Sequence, residues 1–143
     1  MSNTVYYEDL ANMVMLPPLH KPTIERTQLV RYAGASGDFN PLHYDDEAGK
    51  AAGTGGVIAH GMLIMGFTAQ AVTRWIPNRC LKRLSVRFVN ITRPGEQITV
   101  GGRIIEKRVE NGRGIITGEV WAADRQGAVK LKGIFEAELP LKG

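Results

Sequence analysis

Residues 60–76 read His60-Gly61-Met62-Leu63-Ile64-Met65-Gly66-Phe67-Thr68-Ala69-Gln70-Ala71-Val72-Thr73-Arg74-Trp75-Ile76 and stop at Pro77. The first half of this run is apolar on nearly every side. A surface helix carries one apolar stripe, whereas a helix apolar all round has to be enclosed. About sixteen residues at 1.5 Å rise make a rod on the order of 24 Å long. The rest of the chain must supply a layer that wraps it.

That layer is legible in the C-terminal half. Arg93-Pro94-Gly95-Glu96 has Pro and Gly where a type II turn wants them. Glu110-Asn111-Gly112-Arg113 carries the Asn-Gly pair of a tight type I′ hairpin, and Asp124-Arg125-Gln126-Gly127 is a third, looser turn. Between the turns lie four stretches of strand character, about 82–92, 97–109, 113–123 and 128–139. In the last one Val129, Leu131, Phe135, Ala137 and Leu139 share a face, with Lys130, Lys132, Glu136 and Glu138 on the other. Leu84, Val86 and Phe88 repeat the alternation against Ser85 and Arg87. A period of two with one wet face belongs to an antiparallel sheet packed on one side. Short connections predict a meander of neighbouring strands.

The N-terminal half predicts a first strand over Thr23–Arg26, then a short helix starting at Thr27, a favourable N-cap type. A loop follows from Ser36 to about Tyr44. A second short helix over Glu47–Ala52 starts at Asp45 or Asp46 and is closed by Gly53-Thr54-Gly55-Gly56. An antiparallel sheet curled around one buried helix satisfies both halves. The expected fold is α+β, a hot-dog fold, with residues 1–143 as one domain.

At 143 residues such a chain can build a core without disulfides or metals. The single Cys80 has no partner and is expected to be a small buried or half-buried apolar residue. No Cys/His spacing suggests a metal site. The first residues lack the pattern of a signal peptide, and no run approaches the roughly 20 apolar residues of a bilayer span. The expectation is a cytoplasmic protein without membrane contact. A net charge of +4 favours phosphate-bearing ligands. The basic residues are scattered, not interleaved with aromatics, so nucleic acid is not the expected partner.

Chemistry concentrates in Tyr32-Ala33-Gly34-Ala35-Ser36-Gly37-Asp38-Phe39-Asn40-Pro41-Leu42-His43. Pro41 biases Asn40 away from helix, so the chain turns between Asp38 and His43. A carboxylate and an imidazole on one bend can meet and handle protons near neutral pH. The same residue types also make ordinary turns. Gly61 stands where the buried helix begins, where a backbone N–H and the helix dipole can stabilise a developing oxyanion and no side chain blocks approach. His60 reads as a helix-start or packing histidine, and His20 has no context. Met62, Met65 and Phe67 suit a core or the lining of an apolar tunnel. Gly53-Thr54-Gly55-Gly56 lacks the spacing of a nucleotide loop.

Ser36-Gly37-Asp38-Phe39-Asn40-Pro41-Leu42-His43, preceded by Tyr32, resembles the hydratase-2 motif of MaoC-like dehydratases and (R)-specific enoyl-CoA hydratases. Ile58-Ala59-His60-Gly61-Met62-Leu63 resembles the start of their central helix, and the likeness runs from about Val5 to Pro140. One departure is Gly49, near where the pattern tends to place Ala or Ser; little consequence is expected. The resemblance implies Asp38 and His43 as the catalytic pair holding one water at the double bond of an acyl thioester. It implies syn addition to give an (R)-3-hydroxyacyl product, or the reverse dehydration. Gly61 N–H would bind the thioester oxygen, with Asn40 and Met62 as further substrate-binding candidates. Arg79, Lys82 and Arg83 are candidates for the coenzyme A phosphates. The substrate would be an acyl-CoA or acyl-carrier-protein thioester, with no separate cofactor and no metal. The resemblance further implies a dimer joined at sheet edges, a homodimer or a heterodimer with a related hot-dog subunit. Alternatives on the same fold are a thioesterase and a non-catalytic subunit of a heteromeric dehydratase.

Overall fold

Asn111 and Gly112 adopt φ of 51° and 72°, as a type I′ turn demands. Gly95 has φ 92°, and Glu96 N–H closes that turn on Arg93 O at 3.2 Å. These turns set the strand bounds in the computed structural model, which describes residues 4–143. The strands are β1 (Leu19–His20), β2 (Leu81–Phe88), β3 (Thr99–Glu110), β4 (Arg113–Ala123) and β5 (Val129–Leu139). The helices are α1 (Arg26–Ser36), α2 (Asp46–Ala51) and α3 (Gly61–Trp75). The molecule is a hot-dog fold, a curled antiparallel sheet around α3.

The sheet order is β1-β3-β4-β5-β2. β3, β4 and β5 form the expected meander, but β2 does not lie beside β3. It pairs with β5, Leu84 opposite Phe135 and Phe88 opposite Leu131. Residues 89–98 are too long a connection to act as a hairpin, and they carry the chain from one side of the sheet to the other. Gly133 allows the β2–β5 approach: a Cβ there would sit 2.0 Å from Ser85 O. The first strand is also displaced from expectation. Residues 23–25 precede α1, and the pairing falls on Leu19–His20, opposite Val100 and Thr99. Pro22 cannot donate and interrupts the ladder, and beyond it Ile24 still bonds the 93–96 turn, its N–H to Glu96 O at 2.9 Å and its O from Gly95 N–H at 2.8 Å. α1 starts at Arg26 with Glu25 as N-cap, not at Thr27.

α3 buries Leu63, Ile64, Phe67, Thr68, Ala71 and Val72 against the sheet. Ile104, Ile116, Val120, Leu131, Phe135 and Leu139 face it from β3, β4 and β5. The helix is not enclosed on all sides, since Met62 and Gly66 are exposed. Thr68 Oγ1 donates to Met65 O at 2.6 Å, so a buried hydroxyl has a local acceptor. Cys80 is buried and free. Among the described residues no helix is long and apolar enough to cross a membrane.

Gly49 is more consequential than its helical setting suggests. A Cβ on it would lie 2.1 Å from Gly56 O, because residues 53–57 fold back across α2. Asp46 fixes that return by accepting from Val57 N–H at 2.9 Å. Alanine is the better helix former by about 1 kcal/mol, but the obstructing atom is backbone and overpacking of this kind costs about 1–3 kcal/mol. Gly49→Ala is therefore expected to destabilise the chain by about 1 kcal/mol net, read as a lower urea midpoint at unchanged slope.

Candidate active site

α1 ends at Gly37, whose φ of 77° gives the left-handed cap, with its N–H on Ala33 O at 2.9 Å. Short side chains then build a bend from 38 to 43. Ser36 Oγ accepts from Asp38 N–H at 3.2 Å and Asp38 Oδ1 from Asn40 N–H at 3.2 Å. Asn40 Oδ1 accepts from Leu42 N–H at 3.3 Å, and Pro41 opens one 3₁₀ turn that closes on His43. These are the local bonds by which Ser, Asp and Asn redirect a chain. The bend sends Asp38 toward solvent and His43 inward.

His43 is 8% exposed. Its Nδ1 lies 2.8 Å from Ile58 O, and a carbonyl only accepts, so Nδ1 carries a proton. Nε2 lies 3.5 Å from Asp38 Oδ2. In the neutral ring Nε2 is an acceptor, as is the carboxylate. Two acceptors facing each other at that separation can share a small donor between them.

His60, 1% exposed, lies face to face with His43, ring centroids 3.7 Å apart and planes 21° apart. Its Nε2 is 3.2 Å from the backbone oxygen of Asp38, and the Tyr32 ring meets it edge-on at 4.7 Å. Burial lowers the His60 pKa below the ordinary imidazole value; the bond to Asp38 O and the Asp38 charge oppose this, and neighbouring His43 adds to it. Two positive rings this close would repel by about 4 kcal/mol at an effective dielectric near 20. A His whose folded pKa is lowered binds its proton more readily when unfolded. Its contribution to stability is full above the unfolded pKa and falls as pH drops through it.

Asp38, His43 and His60 bring three ligand-type atoms within 4.8 Å of one another. Nearly parallel stacked rings, however, direct their nitrogen lone pairs along separate planes. An ion in the plane of one ring lies out of the plane of the other, so the trio suits hydrogen bonding better than metal ligation.

His43 opens onto a cavity of about 260 Å³ lined by Ile58, Ala59, Gly61, Ile64, Phe88, residues 89–92 and Lys130. Gly61 and Met62 N–H, at the first turn of α3, have no carbonyl one turn earlier to bond. The Gly61 Cα faces the Phe88 ring, whose nearest atom would be 3.0 Å from a Cβ. The wall 57–60 is held on both sides, by Ile58 N–H to Leu42 O at 3.1 Å and by Ala59 N–H to Thr92 O at 2.7 Å.

The structure thus brings together Asp38, His43 and Gly61. It leaves Met62 outside the cavity, 57% exposed, because Gly61 and Ile64 are the positions of that turn that face inward. Asn40 also lies outside the cavity lining and is exposed, its carbonyl oxygen engaged in the bend. Arg79, Lys82 and Arg83 lie toward the opposite end of β2 from Phe88, roughly 20 Å along the strand. Arg79 and Lys82 there border a different hollow, with Cys80 and Arg113. His20 pairs with Thr99 Oγ1 at 3.0 Å, away from the site.

Lys130 departs from the alternation that placed it on the wet face. It is 6% exposed, with Nζ 3.0 Å from Ile91 O, 2.9 Å from Glu96 Oε1 and 3.4 Å from Asp124 Oδ2. The register shift between Ala122 and Ala123 lies opposite the start of β5, and residues 89–98 cover that end of the sheet. Lys130 ties this covering segment to the β4–β5 turn. The period-two pattern gives no sign of a bulge, so sequence reasoning missed Lys130; Phe88 joins the cavity at the end of β2, where residues 89–92 leave the strand.

The pattern that defines the "MaoC like domain" matches residues 12–123. The chain is 38% identical over 66 residues to the peroxisomal enoyl-CoA hydratase 2 of Arabidopsis thaliana, covering 44% of this chain and 21% of that protein. It is 43% identical over 74 residues to the 3-hydroxyacyl-thioester dehydratase X of Mycobacterium tuberculosis, covering 50% of this chain and 25% of the relative. These matches span less than a third of either relative. A solved MaoC-like dehydratase superposes with a TM-score of 0.81 at 32% identity, covering 97% of this chain and 43% of the other. An (R)-hydratase from A. caviae involved in PHA biosynthesis superposes with a TM-score of 0.81 at 22% identity, covering 93% and 99%, a likeness of fold. With the family pattern spanning the bend, the cavity wall and α3, the chain belongs to the MaoC-like domain family.

Proposed function

We propose that this chain is a hydro-lyase that adds water to the double bond of a 2-enoyl thioester, or removes it from the 3-hydroxyacyl thioester. The observation that carries the reading is the pair of facing acceptors. With Nδ1–H committed to Ile58 O, His43 Nε2 and Asp38 Oδ2 are 3.5 Å apart, and one water can donate a hydrogen to each. Its oxygen lone pair is then free to attack the β-carbon. As the C–O bond forms, the π electrons move toward the α-carbon and the thioester carbonyl. One water proton passes to the Asp38/His43 pair, which returns a proton to the α-carbon. Both transfers occur from the same side, so addition is syn and gives the (R)-3-hydroxyacyl product.

Charge grows on the thioester oxygen during attack. Gly61 N–H, backed by the α3 dipole, is the donor suited to it. The apolar walls from Ile58, Ile64, Phe88 and Ile91 suit the acyl chain. Coenzyme A or an acyl carrier protein would present it. The free side of β2, which pairs only with β5 among the described residues, is the edge on which a second hot-dog subunit would pair.

The test is an assay with crotonyl-CoA followed both at the enoyl absorbance and with a thiol reagent. Loss of enoyl absorbance without thiol release is expected. Thiol release at constant enoyl absorbance would assign a thioesterase instead.

A further inference from the structure

We propose that His60 is a positioning residue of the Asp38/His43 pair, a ring that fixes the backbone of Asp38 and supports the face of His43. The inference rests on the hydro-lyase reading above. Three contacts define the arrangement. Asp38 O can only accept, so the bond at 3.2 Å places the His60 proton on Nε2. The other nitrogen, Nδ1, is buried without a hydrogen-bond partner among the described residues. The His43 ring lies flat against His60 at 3.7 Å.

An unpartnered buried nitrogen is a cost that ordinary packing would avoid, and an apolar ring would fill the same space without it. What an apolar ring cannot do is hold Asp38 O. Asp38 is otherwise an exposed residue whose local bonds all lie within its own bend. Among the described residues, His60 ties its backbone to the start of α3, the element that presents Gly61. His43 is held to the wall before α3 by Ile58 O, and the position of Asp38 relative to His43 and the oxyanion donor is set through this imidazole.

The groups facing His60 determine where a proton goes. They are His43 on one face, the Tyr32 ring at its edge, and Asp38 through both its backbone oxygen and its carboxylate. His43 Nε2 faces the Asp38 carboxylate directly, while His60 Nδ1 faces no acceptor. A positive charge arising in the stack settles on His43. Burial of His60 acts in the same direction. The second ring leaves His43 as the only imidazole of the stack that cycles its proton.

Two measurements test this. Nitrogen-15 NMR of the wild-type protein, with both rings assigned, is expected to show the His43 proton on Nδ1, where Ile58 O accepts it. His60 should show the Nε2–H tautomer and take up a second proton only below the ordinary imidazole range. Kinetics then separate donor from ring. His60→Phe is expected to lower kcat by roughly 10- to 100-fold with KM nearly unchanged, because a misplaced reacting group costs rate before binding. His60→Gln keeps a donor near Nε2 and should recover most of the loss. Titration of His60 at or above the ordinary imidazole range, wild-type kcat in His60→Phe, or equal damage in both variants overturns the inference. If His60→Phe does not fold, the NMR result on the wild-type protein decides. Asp38→Asn is run in parallel: full turnover there removes the hydro-lyase site itself, whereas inactivity there beside unchanged His60→Phe removes only the role of His60.

Discussion

His43→Gln is expected to lower turnover of a short enoyl-CoA by about a thousandfold, and Asp38→Asn to do the same, with each variant folded and KM within a few-fold of wild type. General acid–base groups contribute about 10²–10⁴ in rate, and in the proposed mechanism these two share a single water, so losing either leaves the other without a partner. The double variant should be little worse than each single one, since residues that act as a unit are strongly non-additive. Gln at 43 can still donate to Ile58 O, but it cannot take up a proton. Asn at 38 keeps an acceptor but loses the charge, and its amide can donate to His43 Nε2 where water belongs. Steady-state kinetics beside circular dichroism check both points. A drop confined to KM would assign the pair to substrate binding alone.

Gly61→Val should cost about a hundredfold in kcat while the protein stays folded, the scale set by removing one oxyanion-hole donor. The position lies on the cavity, with the Phe88 ring 3.0–3.3 Å from where a Cβ would be. Phe88 is 50% exposed and can swing outward, which spares the fold. The branched side chain then occupies the approach to the Gly61 N–H. Gly61→Ala, needing only a shift of the Phe88 ring, should lose less. Comparable losses in the two would mean that Phe88, not access to the amide, controls the step.

The parts of this molecule governed by short-range rules were legible in the sequence. Asn111-Gly112 and Pro94-Gly95 fix their turns through backbone conformation, and the alternation in residues 131–139 names the buried face correctly. The bend at 38–43 was legible for the same reason: Ser36, Asp38, Asn40 and Pro41 act on their own neighbours. What escaped depends on distant segments. The β2–β5 pairing follows from where residues 89–98 cross the sheet, which no local pattern records. Lys130 is buried because that same segment covers it and offers Glu96 and Ile91 O. Met62 looked internal because the whole run is apolar, yet the sheet encloses only one side of α3. Gly49 looked incidental because its neighbour, Gly56, arrives from beyond the helix.

In the proposed mechanism the pair and its shared water act from one side of the substrate, and hydration in deuterium oxide reads that directly. The 3-hydroxyacyl product, analysed by proton NMR coupling, should carry one deuterium at the α-carbon on the same face as the new hydroxyl. Deuterium on the opposite face, or scrambled between faces, would show that the two transfers do not come from Asp38 and His43 together.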